Sequence, residues 1–407
     1  MGFIKVTIFG FALTALWSPM SAIIMPLLVL HFVAESQKNT YLGLITFVGL
    51  ILAIIIQPLA GAISDRSSFS WGRRRPYILV GTLVSIVLLI SLGLANSLTA
   101  VLLIYCFLQV SSNTAHGPWQ GFIPDQVPAN KRGTASAVKG ILETLGAAAG
   151  IQLAGYFLSA RFAGEQDTKL FLALGVIAFI MAAAMVATVL TVKEKALIPT
   201  NRISVLQSIH DTFKITIRAE SSFIFFIISR LLFLMPLIML RTFGLYFLKD
   251  IAEMADPVAV ASDLMVAVGV SLLIVIYPAG HLSDKFGRRV IVMASGIVGA
   301  LGLMILLLFH TYFYIMLAGA LLGIANGCFM SANWAMATDL VGKGAEARHL
   351  GLTNLATAGA SAVATLAGPM VDFLNTYGLN LGYQIMVAIS IIFLLVSSTL
   401  VFRIKTR

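Results

Sequence analysis

Four ionisable side chains lie deep inside long apolar segments of this 407-residue sequence, where an isolated charge is costly. Glu143 and Lys139 are four residues apart, so a helix places them on one face. His116 and Arg230 lie in two other apolar segments. At about 1.5 Å per residue, Glu143 and Arg230 lie roughly 13 Å from the ends of their helices, and His116 lies about 10 Å from its own. Groups at similar depth can exchange a proton or contact the same solute.

Proton exchange is the chemistry that these residue types support best. A carboxylate beside a cation changes its protonation when its surroundings change, and an unperturbed histidine titrates at ~6.5. We therefore predict that Glu143 carries a proton and that His116, Lys139 and Arg230 contribute to the same site. The alternative is a fixed Lys139–Glu143 or Arg230–Glu143 pair that only holds helices together.

Three sets of polar side chains recur at helical spacing inside apolar segments, so each set lies on one face of its helix. The sets are Gln109, Asn113, His116 and Gln120; Asn326 and Asn333; and Asn354, Thr357, Ser361 and Thr365. Their amides and hydroxyls could hydrogen-bond the hydroxyl groups of a sugar. The alternative is hydrogen bonding between helices, which is worth about 0.6 kcal/mol per bond.

Composition indicates what kind of element positions these groups. Hydrophobic residues make up 59% of the chain and charged residues 11%, which is more apolar than a soluble domain requires. Since ~20 apolar residues span a membrane, we predict an all-α integral membrane fold with twelve transmembrane helices. The predicted ranges are 4–32, 41–64, 76–95, 99–123, 134–160, 168–192, 221–249, 257–282, 289–309, 312–337, 350–374 and 379–402.

The distribution of the basic residues predicts an orientation. The formal net charge is +10, and 20 of the 27 Lys and Arg residues lie on one set of alternate loops, whereas four lie on the opposite loops. By the positive-inside rule both termini are cytoplasmic, and the expected location is the cell membrane. Because the charge follows the loops, it does not indicate a nucleic-acid partner. Cys106 and Cys328 lie in separate apolar runs and do not suggest a disulfide framework or metal cluster.

Two landmarks occur twice in the same order. The first is Gly61–Arg66 followed by Gly72-Arg73-Arg74, repeated as Gly280–Lys285 followed by Gly287-Arg288-Arg289; the second is Asp125 with Arg132, repeated as Asp339 with Arg348. The repeat predicts two pseudo-symmetric six-helix bundles, 1–192 and 221–407, with a solute site between them. Residues 193–220 are predicted to form a cytoplasmic connector with an amphipathic helix.

The first landmark resembles the loop between helices two and three of the major facilitator superfamily. Gln57–Gly61 and Trp71–Tyr77 further resemble the glycoside-pentoside-hexuronide group, and plant sucrose transporters most of all, as does the fourth-helix stretch Asn113–Pro118. The resemblance implies the major facilitator fold, with helices four, five and seven lining a central cavity. Gln109 stands where plant sucrose transporters have an acidic residue, so Glu143 is our candidate replacement.

The resemblance also implies a role for the repeated loops. In this superfamily they latch the two halves on the cytoplasmic side, a gating role that falls here on Asp65, Arg66, Arg73, Asp284 and Arg288. Anchoring to anionic lipid is the alternative, particularly for Arg74 and Arg75.

Together these observations predict a monomeric secondary active transporter that works by alternating access, as a proton-coupled symporter of a sugar or glycoside. Its partners are the solute, the proton and the bilayer, and no cofactor is expected. An exporter of amphipathic compounds, drugs or lipids is the alternative, with Glu143 as the counter-charge. A transporter-derived receptor is less favoured, and no nucleophile–base arrangement or phosphate-binding loop indicates an enzyme.

Overall fold

The structure is a computed structural model that describes residues 2–159, 166–194, 221–340 and 346–404. Twelve helical segments among these residues are long and apolar enough to cross a membrane, and no strand occurs in the described ranges. They are α1 Ile4–Phe32, α2 Lys38–Asp65, α3 Arg75–Gly93, α4 Leu98–Gln120, α5 Arg132–Leu158, α6 Gln166–Thr191, α7 Ser221–Asp250, α8 Pro257–Phe286, α9 Arg288–Leu308, α10 Tyr312–Leu340, α11 Glu346–Thr365 and Ala367–Asn375, and α12 Leu381–Leu400. The predicted all-α fold with twelve spans is confirmed.

Large apolar side chains remain exposed along the lengths of the spans. Val87, Phe179 and Leu190 are each more than 60% exposed. Val87 and Phe179 lie in the middle of their helices, and Leu190 lies in the last turn of its helix. In water such surfaces would be unfavourable, but in a bilayer they contact lipid. The exposure pattern is therefore that of a multi-pass membrane protein.

Proline causes the departures from regular helix that hydropathy did not predict. In α1 a π-helical turn, Met20–Ile24, lies between Pro19 and Pro26. In α11 the helix is interrupted at Leu366, shortly before Pro369. A proline has no N–H to donate to the carbonyl four residues earlier and its ring crowds that carbonyl, which favours a wider turn or a break at these two places.

The chain divides into two compact units, Met1–Val33 with Ile45–Val205 and Ala34–Leu44 with Leu206–Arg407. In the first unit α1 packs on α5 and α6, α3 packs on α4 and α6, and α5 packs on α6. In the second unit α7 packs on α11 and α12, α9 packs on α10 and α12, and α11 packs on α12. These five pairs recur in both units when the helices are counted from each unit's own first span.

The units differ from the predicted halves at one segment. Residues 34–44, which include the first turns of α2, cluster with the second unit rather than with 1–192. Apart from 193 and 194, the predicted connector 193–220 lies outside the described residues.

Small residues bring α1 close to α5. Gly146 faces the carbonyl of Phe11 and Gly150 faces that of Ala15, and a Cβ atom at either glycine would overlap the opposing backbone. This is the close packing that the Gly-x-x-x-Gly spacing predicts. It fixes the face of α5 that carries Lys139 and Glu143.

Candidate functional site

In the first unit α1, α4 and α5 bring together Gly10, His116, Trp119, Lys139 and Glu143, which we call the Glu143 cluster. Lys139 Nζ lies 3.6 Å from Glu143 Oε1, as their four-residue spacing predicts. The same ammonium lies 4.9 Å from the centroid of the Trp119 ring. The Lys139 and Glu143 side chains are 24% and 31% exposed, so the pair is partly accessible.

Trp119 lies at the back of the Glu143 cluster. Its side chain is buried, and its indole N–H donates to the Val6 carbonyl over 2.9 Å. The His116 ring lies 5.6 Å from the Trp119 ring, and His116 Nε2 lies 3.1 Å from the side-chain nitrogen of Gln120. Gly10 makes room for Trp119 and Glu143, since a Cβ atom at residue 10 would meet the Trp119 ring and Glu143 Cγ.

The side-chain amides of Gln109 and Asn113 on α4 form hydrogen bonds within their own helix. Gln109 and Asn113 are both buried. Gln109 Nε2 donates to the Tyr105 hydroxyl over 3.0 Å, and Asn113 Nδ2 donates to the backbone and side-chain carbonyls of Gln109 over 2.8 and 3.2 Å. These contacts favour a structural role for the two amides over direct binding of a solute.

Arg230 lies in the second unit, where two helices hold it. Its guanidinium is buried, donates Nε–H to the Thr357 hydroxyl of α11 over 3.0 Å, and donates to the Asn333 side-chain carbonyl of α10. Asn326 is half-buried on α10 and Asn354 is exposed on α11. The shared site of Arg230 and Glu143 stays a prediction.

The first repeated loop forms an ion-pair cluster built around Arg74, which we call the Arg74 cluster. Arg74 binds Asp65 Oδ1 over 2.6 Å and Asp125 Oδ2 over 2.8 Å, and it donates to the Pro118 carbonyl over 3.1 Å. Arg73 binds the same Asp125 oxygen over 2.5 Å and lies 4.0 Å from Asp65. All of these groups belong to the first unit.

Arg74 is therefore a residue whose role sequence reasoning missed. Its side chain is 6% exposed, so the lipid-anchoring alternative does not describe it. The repeat did contain the signal, since Asp125 is itself a repeated landmark. Arg66, by contrast, is exposed.

Glu194, just after α6, is a second residue that the sequence did not single out. Its carboxylate accepts the backbone N–H groups of Arg74 and Arg75 at the start of α3, over 3.0 to 3.2 Å. An anion at a helix N-terminus satisfies free N–H groups and interacts favourably with the helix dipole. Gly72, with φ of 130°, lies against this carboxylate.

The second repeated loop shares some of this geometry. Gly287 has a positive φ of 91°, like Gly72. Arg288 is half-buried and donates to the Ala335 carbonyl in α10, as Arg74 donates to a carbonyl at the end of α4. Asp284 is exposed.

A third cluster, which sequence analysis did not predict, surrounds the start of α2 in the second unit. We call it the Asp372 cluster; its members are Glu35, Lys38, Asn39, Asp250, Asp372 and Tyr383. Asp372 Oδ2 accepts the Thr40 backbone N–H over 2.6 Å, and its Oδ1 accepts from Asn39 Nδ2 over 2.8 Å.

Charged groups complete the Asp372 cluster. Lys38 Nζ lies 2.6 Å from Glu35 and 2.5 Å from Asp250, whose Oδ2 also accepts the Tyr383 hydroxyl over 2.9 Å. Lys38 is only 3% exposed, so this cation is buried within the cluster. A cavity of about 370 Å³ opens beside Glu35, Asp250 and Asp372. No group of three His, Cys, Asp or Glu side chains within the described ranges is placed to hold a metal ion.

Comparison with known proteins gives one family match over most of the chain. The family described as MFS/sugar transport protein matches residues 6–349. Mouse (Mus musculus) solute carrier family 45 member 4 is 31% identical over 140 residues, which are 31% of this chain and 18% of that protein. The Arabidopsis thaliana sucrose transport protein SUC3 is 28% identical over 123 residues, 25% of this chain and 21% of that protein.

A bacterial relative and two solved structures extend the comparison. The minor myo-inositol transporter IolF of Bacillus subtilis is 29% identical over 133 residues, 32% of this chain and 29% of that protein. The chain thus matches less than a third of the length of each of these relatives. A D-xylose-proton symporter superposes with a TM-score of 0.76 at 15% identity, covering 100% of this chain and 99% of that one. A mutant of the nucleoside transporter NupG gives 0.77 at 16% identity, covering 99% of both chains.

Proposed function

Since this chain belongs to the MFS/sugar transport protein family, and is thus a non-enzymatic membrane transporter, we propose that it moves a sugar or glycoside by proton-coupled symport. The family membership agrees with the resemblance carried by the repeated loop at Gly61–Arg75. Two similar proteins are described as transporters of sucrose and myo-inositol, and a structural neighbour as a D-xylose-proton symporter. Polyhydroxylated solutes are the chemistry these three names share.

The Glu143–Lys139 contact is the observation that carries the proposal. A membrane-embedded carboxylate 3.6 Å from an ammonium, with both side chains partly accessible, can exist charged with its partner or protonated and neutral. Alternation between these two forms would let a proton accompany the solute. We also assign His116, whose ring lies 5.6 Å from the Trp119 ring, to this proton site. Arg230 and the amides of Asn326 and Asn354 are our candidate groups for solute hydroxyls.

Alternating access requires contacts that form in one state and break in the other. We assign this role to the clusters at the two ends of α2, the Asp372 cluster at Lys38 and the Arg74 cluster at Asp65. The protein acts as a monomer in the cell membrane with both termini cytoplasmic, which places the Arg74 cluster on the cytoplasmic side. Asp284 and Arg288 have the equivalent gating role in the second unit.

Uptake by purified protein in liposomes tests the proposal. Labelled sucrose and myo-inositol are offered with and without an imposed inward proton gradient. We expect the gradient to accelerate uptake of at least one, and Glu143→Gln to abolish the acceleration. Glu253→Gln, the same chemical change at an exposed residue between α7 and α8, is the matched control and should leave it intact.

Two results would contradict the proposal. Gradient-driven uptake that survives in Glu143→Gln would remove this carboxylate from coupling. Wild-type liposomes that take up neither solute but extrude a lipophilic cation would replace the symporter with the exporter.

A further inference from the structure

Lys139 has two partners of different chemical kinds within the Glu143 cluster. One is the carboxylate of Glu143, 3.6 Å away, and the other is the face of the Trp119 ring, 4.9 Å from the ammonium to the centroid. The carboxylate can gain or lose a proton at the pH of a cell or its medium, whereas the indole ring cannot. Only the first contact therefore changes when a proton binds.

The Trp119 ring is held in place independently of Lys139. Its N–H donates to the Val6 carbonyl over 2.9 Å, its side chain is buried, and Phe9 packs on it edge to face at 6.1 Å. Gly10 leaves no room for a side chain between the ring and α1. The ring is thus a fixed surface, and the flexible lysine side chain is the part that can move.

We infer that Trp119 is a positioning residue for proton coupling, whose ring face holds the Lys139 ammonium while Glu143 is protonated. When Glu143 becomes neutral, Lys139 loses its charged partner in a poorly solvated place. The negative face of the indole then supplies a partner that does not depend on pH. This inference rests on the proposed proton coupling through Glu143.

The inference predicts a direction for the effect of removing the ring. Without Trp119 the protonated form of Glu143 leaves Lys139 without a partner, so the ion-paired form is favoured and proton binding needs a more acidic medium. The charged or titratable groups facing the ring are His116 from α4 with Lys139 and Glu143 from α5, while α1 contributes Val6, Phe9 and Gly10. His116 is unchanged in every variant compared below, so the variants do not differ at this titratable group.

The experiment measures gradient-driven uptake in liposomes as a function of external pH for wild type, Trp119→Leu and Trp119→Phe. We expect the pH of half-maximal uptake to fall by roughly 0.5 to 1 unit in Trp119→Leu. Trp119→Phe keeps a smaller ring face and should show less than half of that fall, though a measurable one. In a Lys139→Gln background Trp119→Leu should cause no further fall, because the ammonium is already absent.

The outcomes separate this inference from the proposed function. Wild-type uptake that does not respond to a proton gradient would contradict both the proposed function and this inference. Coupled wild-type uptake with an unchanged midpoint in Trp119→Leu, or an equal fall in the Lys139→Gln background, overturns the role of Trp119 alone. If Trp119→Leu is not recovered as a folded protein, Trp119→Phe decides, and a midpoint equal to that of the wild type overturns the inference.

Discussion

At the scale of single residues, the most informative contrast lies between two adjacent arginines in the first repeated loop. Arg74 is buried and binds two carboxylates and a backbone carbonyl. Arg75 instead donates to the Trp71 carbonyl over 2.7 Å and lies over the exposed Trp71 ring at 5.5 Å. The two neighbouring arginines thus have different roles, because the Pro118 contact of Arg74 is buried whereas the Trp71 contact of Arg75 is exposed.

This contrast predicts different stabilities for two matched variants. Arg74→Gln should lower the free energy of unfolding by roughly 2–3 kcal/mol, because it leaves Asp125 and the Pro118 carbonyl with fewer partners. Arg75→Gln should cost less than about 1 kcal/mol, since its contacts lie at the surface. Thermal unfolding in one detergent measures both, and equal midpoints for the two variants would contradict the assignment of Arg74 as the centre of the cluster.

The sequence predicted part of this residue-scale picture. The four-residue spacing of Lys139 and Glu143 was enough to predict their contact, because a helix fixes that geometry locally. Gln109 and Asn113 also lie on one face as expected, yet they bond to each other and to Tyr105 rather than point to open space. Which partner an amide selects depends on the neighbours that packing supplies, and spacing alone does not contain them.

At the scale of elements, the turn before α3 shows why a glycine occurs in both repeated loops. Gly72 and Gly287 have the two positive φ values found among the glycines of the described residues. Residues other than glycine disfavour a positive φ, because their Cβ atom then contacts the backbone. Gly72 has the further constraint that the Glu194 carboxylate occupies the space where a Cβ atom would lie, whereas the surroundings of Gly287 are open.

Alanine at these two positions separates backbone strain from crowding. Gly287→Ala should cost about 1–3 kcal/mol through strain alone. Gly72→Ala should cost more, because it also displaces Glu194 from the N–H groups of Arg74 and Arg75. The difference in unfolding midpoint between the variants is the measurement, and a larger loss in Gly287→Ala would show that Glu194 contributes little to the start of α3.

At the scale of the whole molecule, the two ends of α2 belong to different units. Its first turns are held in the second unit by the Asp372 cluster, and its last turn enters the Arg74 cluster of the first. The Asp372 cluster is the more buried of the two, since Lys38, Asn39 and Asp372 are each less than 10% exposed.

Release of the start of α2 can be followed with a buried reporter. In a chain with Cys106 and Cys328 replaced by alanine, Leu42→Cys places a thiol at a fully buried position of the segment. Asp372→Ala should raise its rate of labelling by an impermeant maleimide at least about tenfold, because the Thr40 N–H and the Asn39 amide lose their acceptor. The reagent should act from outside the cell, as the proposed orientation requires.

Asp263→Ala, which removes a carboxylate bound to Tyr312 at an exposed site of α8, is the control for this experiment. Equal labelling rates in the control and in Asp372→Ala would mean that the cluster does not hold the segment. Labelling only from the cytoplasmic side would reverse the orientation instead.

The sequence by itself determined the number of spans, their approximate positions and the repeat of the loops, because hydropathy and local spacing act over a few turns of one helix. Only the tertiary structure decided that Glu194 completes the start of α3 from 120 residues away, and that Asp372 binds Asn39 across 333 residues. Such pairs depend on which helices pack together, and the free energy that selects them comes from burial and hydrogen bonding between distant segments rather than from local preference.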